Sequence, residues 1–552
     1  MAIGNRDLPQ VYPAAKLDLV DRTIRLVHLL PGRYADAIAC ELVTANLNDQ
    51  PEYYALSYAW GDRTNPQQIL LNGASHNITR NLEAALRRLR HTSDVLVFWI
   101  DMICIDQTCV EERTHQVNLM QYIYSGAREG ILWLGDCFES TLQGSEIPSK
   151  PAQDAEALEG FTNCSWWHRI WTVQEAVLPP TVTIQLGWLL MSWDSLVAAA
   201  QNLNNHWALG CCSVPEAYKA PLAAFSLGVM EIKIVRTLYH SGKNAHFLSS
   251  LHRFRGRLST DPRDKLFALL GLCNRPTCFR VPEVDYTLSA EAIYKRYFIS
   301  LLQDDGDLDL LARQPEIGRQ LDLPTWMPDW SAKVDESRAG IHRYLMRNLH
   351  IYQASGTTLL GQQFSITETT LHVRGAVFDE VTMLDDLAFG ALQFIQDISR
   401  YLKTRFNVTG REAYVGGGDW EHAIWLTYIM DQILVHSHGE TNSRRATPED
   451  YTLWQNGTLK DPIPDYRNSF RFFMSKKGYV GFGPRNTQIG DTVSILLGGS
   501  VPFVLRRRNI QAALPEQRPE YGYIGHCYVH GIMDGEALEG MDVSKLAWIN
   551  LI

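Results

Sequence analysis

The sequence predicts an α/β protein: an open parallel sheet in the N-terminal part, a helical region after it, and a strand-rich C-terminal region. Three observations predict this. Between residues 53 and 186, short apolar runs alternate with amphipathic stretches. Between 190 and 310, helical spacing dominates. Beyond 345, period-two patterns return, as in T-L-H-V-R-G-A-V-F-D-E-V at 370–381 and Y-I-G-H-C-Y-V-H-G-I-M-D-G-E-A at 523–537. Strands separated by helices close most readily into a parallel sheet covered on both faces.

The elements follow in order. Residues 21–47 alternate as a hairpin, joined through Pro31-Gly32. Tyr53–Tyr58 is a short apolar strand. In 81–90, Leu82, Ala85, Leu86 and Leu89 share one helical face. Val95–Ile100 is continuously apolar, as a strand buried on both faces should be. Residues 111–127 carry Val117, Met120, Ile123 and Tyr124 at helical spacing, and Gly130–Leu134 is a third strand. Ser165–Leu178 reads as one helix with a serine cap and a stop at Pro179-Pro180. Thr181–Leu186 is a fourth strand. Residues 137–163 are acidic and rich in loop formers. D-P-R-D-K-L-F-A-L-L-G-L at 261–272 is a turn plus helix, and 493–505 reads as strands and a turn. Gly481-Phe-Gly483 also reads as a strand turn. The expected domains are a hairpin extension (1–50), the α/β domain (51–190), a helical region (191–340) and an α+β, strand-rich domain (341–552).

Composition narrows the function classes. The 552 residues are enough for about two to four domains. A net charge of -10 argues against a protein that wraps duplex nucleic acid. The N-terminus lacks an apolar signal segment, and no uninterrupted apolar run would span a bilayer. Ten scattered cysteines form no C-x-x-C pair and no zinc spacing, so reduced core thiols are expected and no metal site. The expected compartment is the cytoplasm, with the nucleus open. No phosphate loop, nucleophile elbow, H-E-x-x-H or G-x-G-x-x-G occurs.

In open α/β sheets, ligands sit beyond the carboxyl ends of the strands. Three segments fall there. A-L-S-Y-A-W-G-D at 55–62 offers Ser57, Tyr58, Trp60, Gly61 and Asp62, with Gly61 allowing close backbone approach. W-I-D-M-I-C-I-D-Q at 99–107 places Asp101, Asp106 and Gln107 just past a buried strand; Asp101 has the structural alternative of capping or of pairing with Arg113. W-H-R-I-W-T-V-Q-E-A at 167–176 spaces Trp167, Trp171 and Glu175 on one face of a continuous helix. Glu175 lies in the last turn, where the helix dipole disfavours its charge, and aromatic neighbours would desolvate it. An acid so placed is a candidate catalytic group; the competing reading puts both tryptophans in the core and Glu175 in solvent. Arg169 and Glu175 are six apart, so separate ligand contacts are expected of them rather than a mutual ion pair.

These three blocks resemble the hallmark segments of the fungal heterokaryon incompatibility (HET) domain. D-P-R-D-K-L-F-A-L-L-G-L, L-P-T-W-M-P-D-W-S at 323–331 and G-H-C-Y-V-H-G-I-M-D-G-E-A at 525–537 resemble the extended architecture of such proteins. The resemblance implies non-self recognition with cell-death or growth-arrest signalling. S-Y-A-W-G-D-R-T at 57–64 and Trp171-x-x-x-Glu175 are also similar to Toll/interleukin-receptor (TIR) domains, which implies a TIR/flavodoxin-like sheet and NAD as a substrate rather than a bound cofactor. Glu175 would then be catalytic. Ser57, Tyr58, Trp60, Gly61, Asp62, Asp101, Gln107, Arg169 and Trp171 would contact the substrate. Self-association through this domain and an unidentified protein partner are expected. The alternative class is a non-catalytic interaction module, or a HET-domain protein tied to a biosynthetic pathway. Trigger, oligomeric state and biological task are not readable from the residues.

Overall fold

The computed structural model describes Tyr12 and residues 17–136, 158–211, 213–243, 247–273, 282–312, 316, 318–333, 349–356, 364–385, 402–404, 406–437, 440–459, 470–508 and 519–552. Most of the acidic loop at 137–163 lies outside these residues, as do Cys137, Cys212 and Cys278. The seven described cysteines form no disulfide, and Cys40, Cys104, Cys273 and Cys527 are buried. No helix among the described residues is long and apolar enough to cross a membrane. The chain divides into two compact units, Met1–Ser289 and Ala290–Ile552.

The first unit is built on nine strands: β1 Thr23–Leu29, β2 Ala39–Asn46, β3 Tyr54–Tyr58, β4 Gln67–Leu71, β5 Ala74–Ile78, β6 Leu96–Trp99, β7 Glu129–Trp133, β8 Val182–Leu186 and β9 Leu189–Ser192. They lie in the order β5-β4-β2-β1-β6-β3-β7-β8-β9. The four strands expected from the apolar runs, β6, β3, β7 and β8, are mutually parallel and central. In chain order they run 2-1-3-4, so the topological switch point lies between β3 and β7, and a ligand crevice is expected beyond Tyr58.

The sheet is mixed rather than wholly parallel. The N-terminal hairpin is no appendage, because β1 pairs antiparallel with β6 and continues the sheet. A second hairpin, β4–β5, turns at Asn72-Gly73, both at positive φ. That is the Asn-Gly signal of a tight hairpin turn.

Helices cover this sheet: α1 Arg80–Leu89, α2 Asp101–Cys104, α3 Val110–Gly126, α4 Ser165–His168, α5 Trp171–Val177, α6 Trp193–Leu209, α7 Glu216–His240, α8 Phe247–Phe254 and α9 Asp264–Leu270. In α1, Thr79 caps the start and Leu82, Ala85 and Leu86 are buried, as the spacing requires. A buried bidentate ion pair, Arg25 on β1 with Glu112 on α3, fixes the loop after β6; Arg25 also donates to the Cys104 carbonyl, and Glu112 accepts from the Asp106 amide.

One expectation fails here. Residues 165–178 are two short helices, α4 and α5, not one. The chain breaks at Arg169-Ile170, where its backbone pairs with Leu258: the Ile170 amide donates to the Leu258 carbonyl and the Leu258 amide to the His168 carbonyl. Those two bonds replace helical ones, so tertiary pairing overrides local helix propensity.

In the second unit a helix, α10 Ala290–Asp305, precedes a strand-rich body. Its elements are β10 Phe364–Ile366, β11 Leu371–Asp385, α11 Trp420–Tyr428, β12 Gln432–Ser437, β13 Glu440–Arg445, α12 Pro448–Gln455, β14 Phe470–Ser475, β15 Val480–Pro484, β16 Thr492–Leu496, β17 Phe503–Arg507, β18 Glu520–His526, β19 Tyr528–Val529 and β20 Ala547–Leu551. Strands β16, β17, β18, β20 and β11 pair in sequence, and β16 pairs back onto β11. The sheet therefore closes into a small barrel without open edges along that ring. The long β11 bends at two bulges and carries β14 and β15 on its far half. Val381, Phe473, Val493, Ile495, Leu497 and Val504 form its core. Gly481 and Gly483 lie inside β15 rather than at a turn; side chains there would strike the Tyr528 carbonyl and Phe473.

Candidate functional site

The three sequence blocks meet at the carboxyl end of β3. Ser57 and Tyr58 end that strand and are buried. The following turn is held by Asn81 of α1, whose amide donates to the Ala59 carbonyl at 2.6 Å and accepts from Trp133 Nε1 at 2.9 Å. Gly61 completes the turn at φ 73°, a conformation open to glycine at little cost.

An inner layer forms around Glu175. Its carboxylate hydrogen-bonds the Ser57 hydroxyl, and Ser57 Oγ accepts from Trp166 Nε1 at 2.7 Å. Glu175 is 4 % exposed. Burial raises its pKa to about 7; nearby Arg169 and the Ser57 hydrogen bond oppose the rise, and Asp101 adds to it. The dipole argument does not apply. The carbonyls at the end of α5 are capped by Arg236, which donates to Ala176, Val177, Pro179 and Pro180 at 2.7–3.0 Å. Desolvation in the domain interior is the cause instead.

An outer, half-buried layer lies over it. Trp60 Nε1 donates to Asp101 Oδ2 at 2.7 Å, and the Met102 amide donates to Asp101 Oδ1. Asp101 does not pair with Arg113, which stacks on Tyr286 instead. Burial raises the Asp101 pKa against the pull of Arg169. The Tyr58 hydroxyl faces Asp101 without a well-formed hydrogen bond, so one buried donor at the site is incompletely satisfied. Arg169 donates to the Tyr58 carbonyl and stands 5.7 Å from the Trp60 ring centroid. It acts electrostatically on both carboxylates without an ion pair to Glu175, so the two serve separate contacts. Arg63 lies over the Trp60 ring at 4.1 Å.

Of the ten expected residues, Ser57, Tyr58, Trp60, Asp101, Arg169 and Glu175 converge, with Gly61 shaping the turn. Gln107 reaches only the backbone, donating to the Asp101 carbonyl at 3.1 Å. Asp62 is exposed and caps Thr64. Trp171 points away: its indole bonds Asp264 of α9, which also accepts from the Tyr286 hydroxyl at 2.6 Å. With the helix broken, Trp167 leaves the shared face and packs on Phe161. Trp166 takes the place expected of its neighbour. Sequence reasoning missed Trp166 and Arg63; with the break unknown, the i, i+4, i+8 spacing selects Trp167 instead. Among the described residues no cluster of His, Cys, Asp and Glu could hold a metal ion.

Comparison with known proteins places this site inside a recognised domain. The family model "Heterokaryon incompatibility protein (HET)" matches residues 53–175, which begins at β3 and ends at Glu175. The model "Het-6 beta-barrel domain" matches 464–543, within the barrel of the second unit. "Heterokaryon incompatibility protein 6, OR allele" of Neurospora crassa is 23 % identical over 95 % of this chain and 96 % of its own length. No solved structure matches. The chain is a HET-domain protein.

Proposed function

We propose that this protein acts in heterokaryon incompatibility, signalling growth arrest or cell death by cleaving NAD at the nicotinamide–ribose bond in its HET domain. The observation that carries this reading is the buried Glu175 carboxyl at the switch point of the sheet, beside Ser57 and beneath Trp60, Asp101 and Arg169. Nicotinamide departs as a neutral molecule, so the reaction needs no general acid. It needs a carboxylate beside the ribose to offset the oxocarbenium charge. A pKa near 7 leaves that carboxyl about half neutral at pH 7 in the closed site, and the cationic nicotinamide ring favours its ionised form. Trp60 offers a ring for stacking, and Arg169 with Arg63 offers guanidinium groups for phosphates.

The outer layer must open before substrate reaches Glu175. The reading therefore expects low activity in the dilute protein and a rise when self-association displaces Arg169. The relative's name, heterokaryon incompatibility protein 6, supports the biological half of the reading.

The test incubates purified full-length protein, at dilute and at high concentration, with NAD and follows nicotinamide. Wild type is expected to release it, with a rate rising through about pH 7, and Glu175→Gln to lose about 10²–10³-fold. Equal release from both removes Glu175 from the chemistry. The same burial also favours a second reading, a non-catalytic association module in which Ser57 and Glu175 are core. That reading expects Glu175→Gln to keep full incompatibility signalling in a strain-fusion assay.

A further inference from the structure

The bend that brings Arg169 and Glu175 to one rim is not made by the family-matched segment alone. It is held from about 85 residues downstream. Leu258 exchanges two backbone bonds with His168 and Ile170. Arg257, buried, donates from Nη1 to Thr172 Oγ1 at 3.0 Å and toward the Arg169 carbonyl at 3.3 Å. The Thr172 hydroxyl donates in turn to the Trp166 and Arg169 carbonyls at 2.9 and 2.7 Å. Behind it, the Lys265 ammonium bonds the Arg255 and Arg257 carbonyls and fixes the segment to α9.

Burial lowers the Arg257 pKa, and Glu231 opposes that electrostatically. Burying a cation is costly unless it is well hydrogen-bonded. Here the bonds go to the carbonyl and hydroxyl that define the break between α4 and α5.

We propose that Arg257 is a positioning residue of the HET-domain site, locking the α4–α5 bend so that Trp166, Arg169 and Glu175 face Ser57 together. The functional domain therefore extends past residue 175 to include 254–265. For catalysis the inference rests on the NAD-cleavage reading; the placement itself does not.

The experiment uses the full chain and the variants Arg257→Met, Arg257→Lys and Thr172→Val, with folding checked by circular dichroism. Nicotinamide release from NAD is expected to fall about tenfold or more in kcat in Arg257→Met with KM within about twofold, and to recover substantially in Arg257→Lys. Thr172→Val, which keeps the side-chain shape, is expected to fall in the same way and serves if Arg257→Met does not fold. A second arm needs no activity. The titration midpoint of Glu175 is read from the pH dependence of stability in each variant against its Glu175→Gln double. Loss of the lock frees Arg169, so the midpoint is expected to rise by about half a unit or more. If wild type releases no nicotinamide, the NAD reading fails and the second arm alone decides the placement. An unchanged or lowered midpoint in both Arg257→Met and Thr172→Val overturns the proposal.

Discussion

Two acidic side chains of this molecule are equally hidden from water and behave in opposite ways. Glu175 in the first unit and Asp450 in the second are each 4 % exposed. Glu175 titrates at about 7, whereas Asp450 is held well below the usual carboxylate range. Asp450 has a thin cover and a complete set of partners. Arg444 clamps it with two nitrogens at 2.6 and 2.8 Å, and with Thr447 it closes a capping box at the start of α12. Glu175 lies in the interior with one hydroxyl, and the nearest guanidinium is turned to a backbone carbonyl. Equal surface exposure therefore does not decide the charge state; depth of burial and the supply of donors do. A structural acid is saturated, and the acid at the switch point is left short.

That contrast can be broken or sharpened by substitution. The largest effect is expected at Glu112, a third hidden acid, clamped by Arg25 at 2.5 and 3.0 Å. Glu112→Gln leaves Arg25 buried without its counter-ion and should cost about 3–5 kcal/mol in denaturant unfolding. A loss below about 1 kcal/mol would blur the distinction between saturated and unsaturated acids.

Glu175→Gln should do the reverse. The folded-state value lies above the unfolded 4.5, so folding takes up a proton between about pH 4.5 and 7. The contribution to stability is full below pH 4.5 and is lost as pH rises through 7. At pH 8 the glutamine variant should gain about 3 kcal/mol over wild type, and at pH 4.5 almost nothing. Melting curves at the two pH values measure this directly.

Asp450→Ala should cost about 1–2 kcal/mol at neutral pH through the lost cap and clamp. Because its folded value is depressed, the charge-dependent part of that contribution should be full above 3.8 and decline progressively as pH falls toward the much lower folded value, opposite in direction to Glu175. The smallest effect is expected for Ser57→Ala. Removing the hydroxyl that lowers the Glu175 pKa should push the midpoint up by about half a unit.

Much of this arrangement is legible in the residues. The four apolar runs mark the parallel core, and their carboxyl ends mark the rim where Ser57, Trp60, Asp101 and Glu175 meet. The β4–β5 hairpin carried its own Asn-Gly signal. What could not be read is the break at Arg169-Ile170. Locally, residues 165–178 satisfy every rule for one helix, and Trp167, Trp171 and Glu175 then share a face. The break exists because Leu258 and Arg257 supply better partners for those backbone groups, and a pairing across some 88 positions leaves no mark in local periodicity. The same event swaps Trp166 for Trp167 at the site and turns Trp171 toward Asp264. Of the two causes read from sequence for the Glu175 shift, desolvation holds, whereas the dipole end is covered by Arg236 from α7.

The central claim is that one carboxyl of the HET domain stays protonated up to neutral pH because burial desolvates it and few donors oppose that. Carbon-13 spectra of glutamate-labelled protein, with the Glu175 resonance assigned by its disappearance in Glu175→Gln, measure this most directly. The account predicts a titration midpoint close to 7. A midpoint near 4.5, the ordinary value for a glutamate, would contradict it.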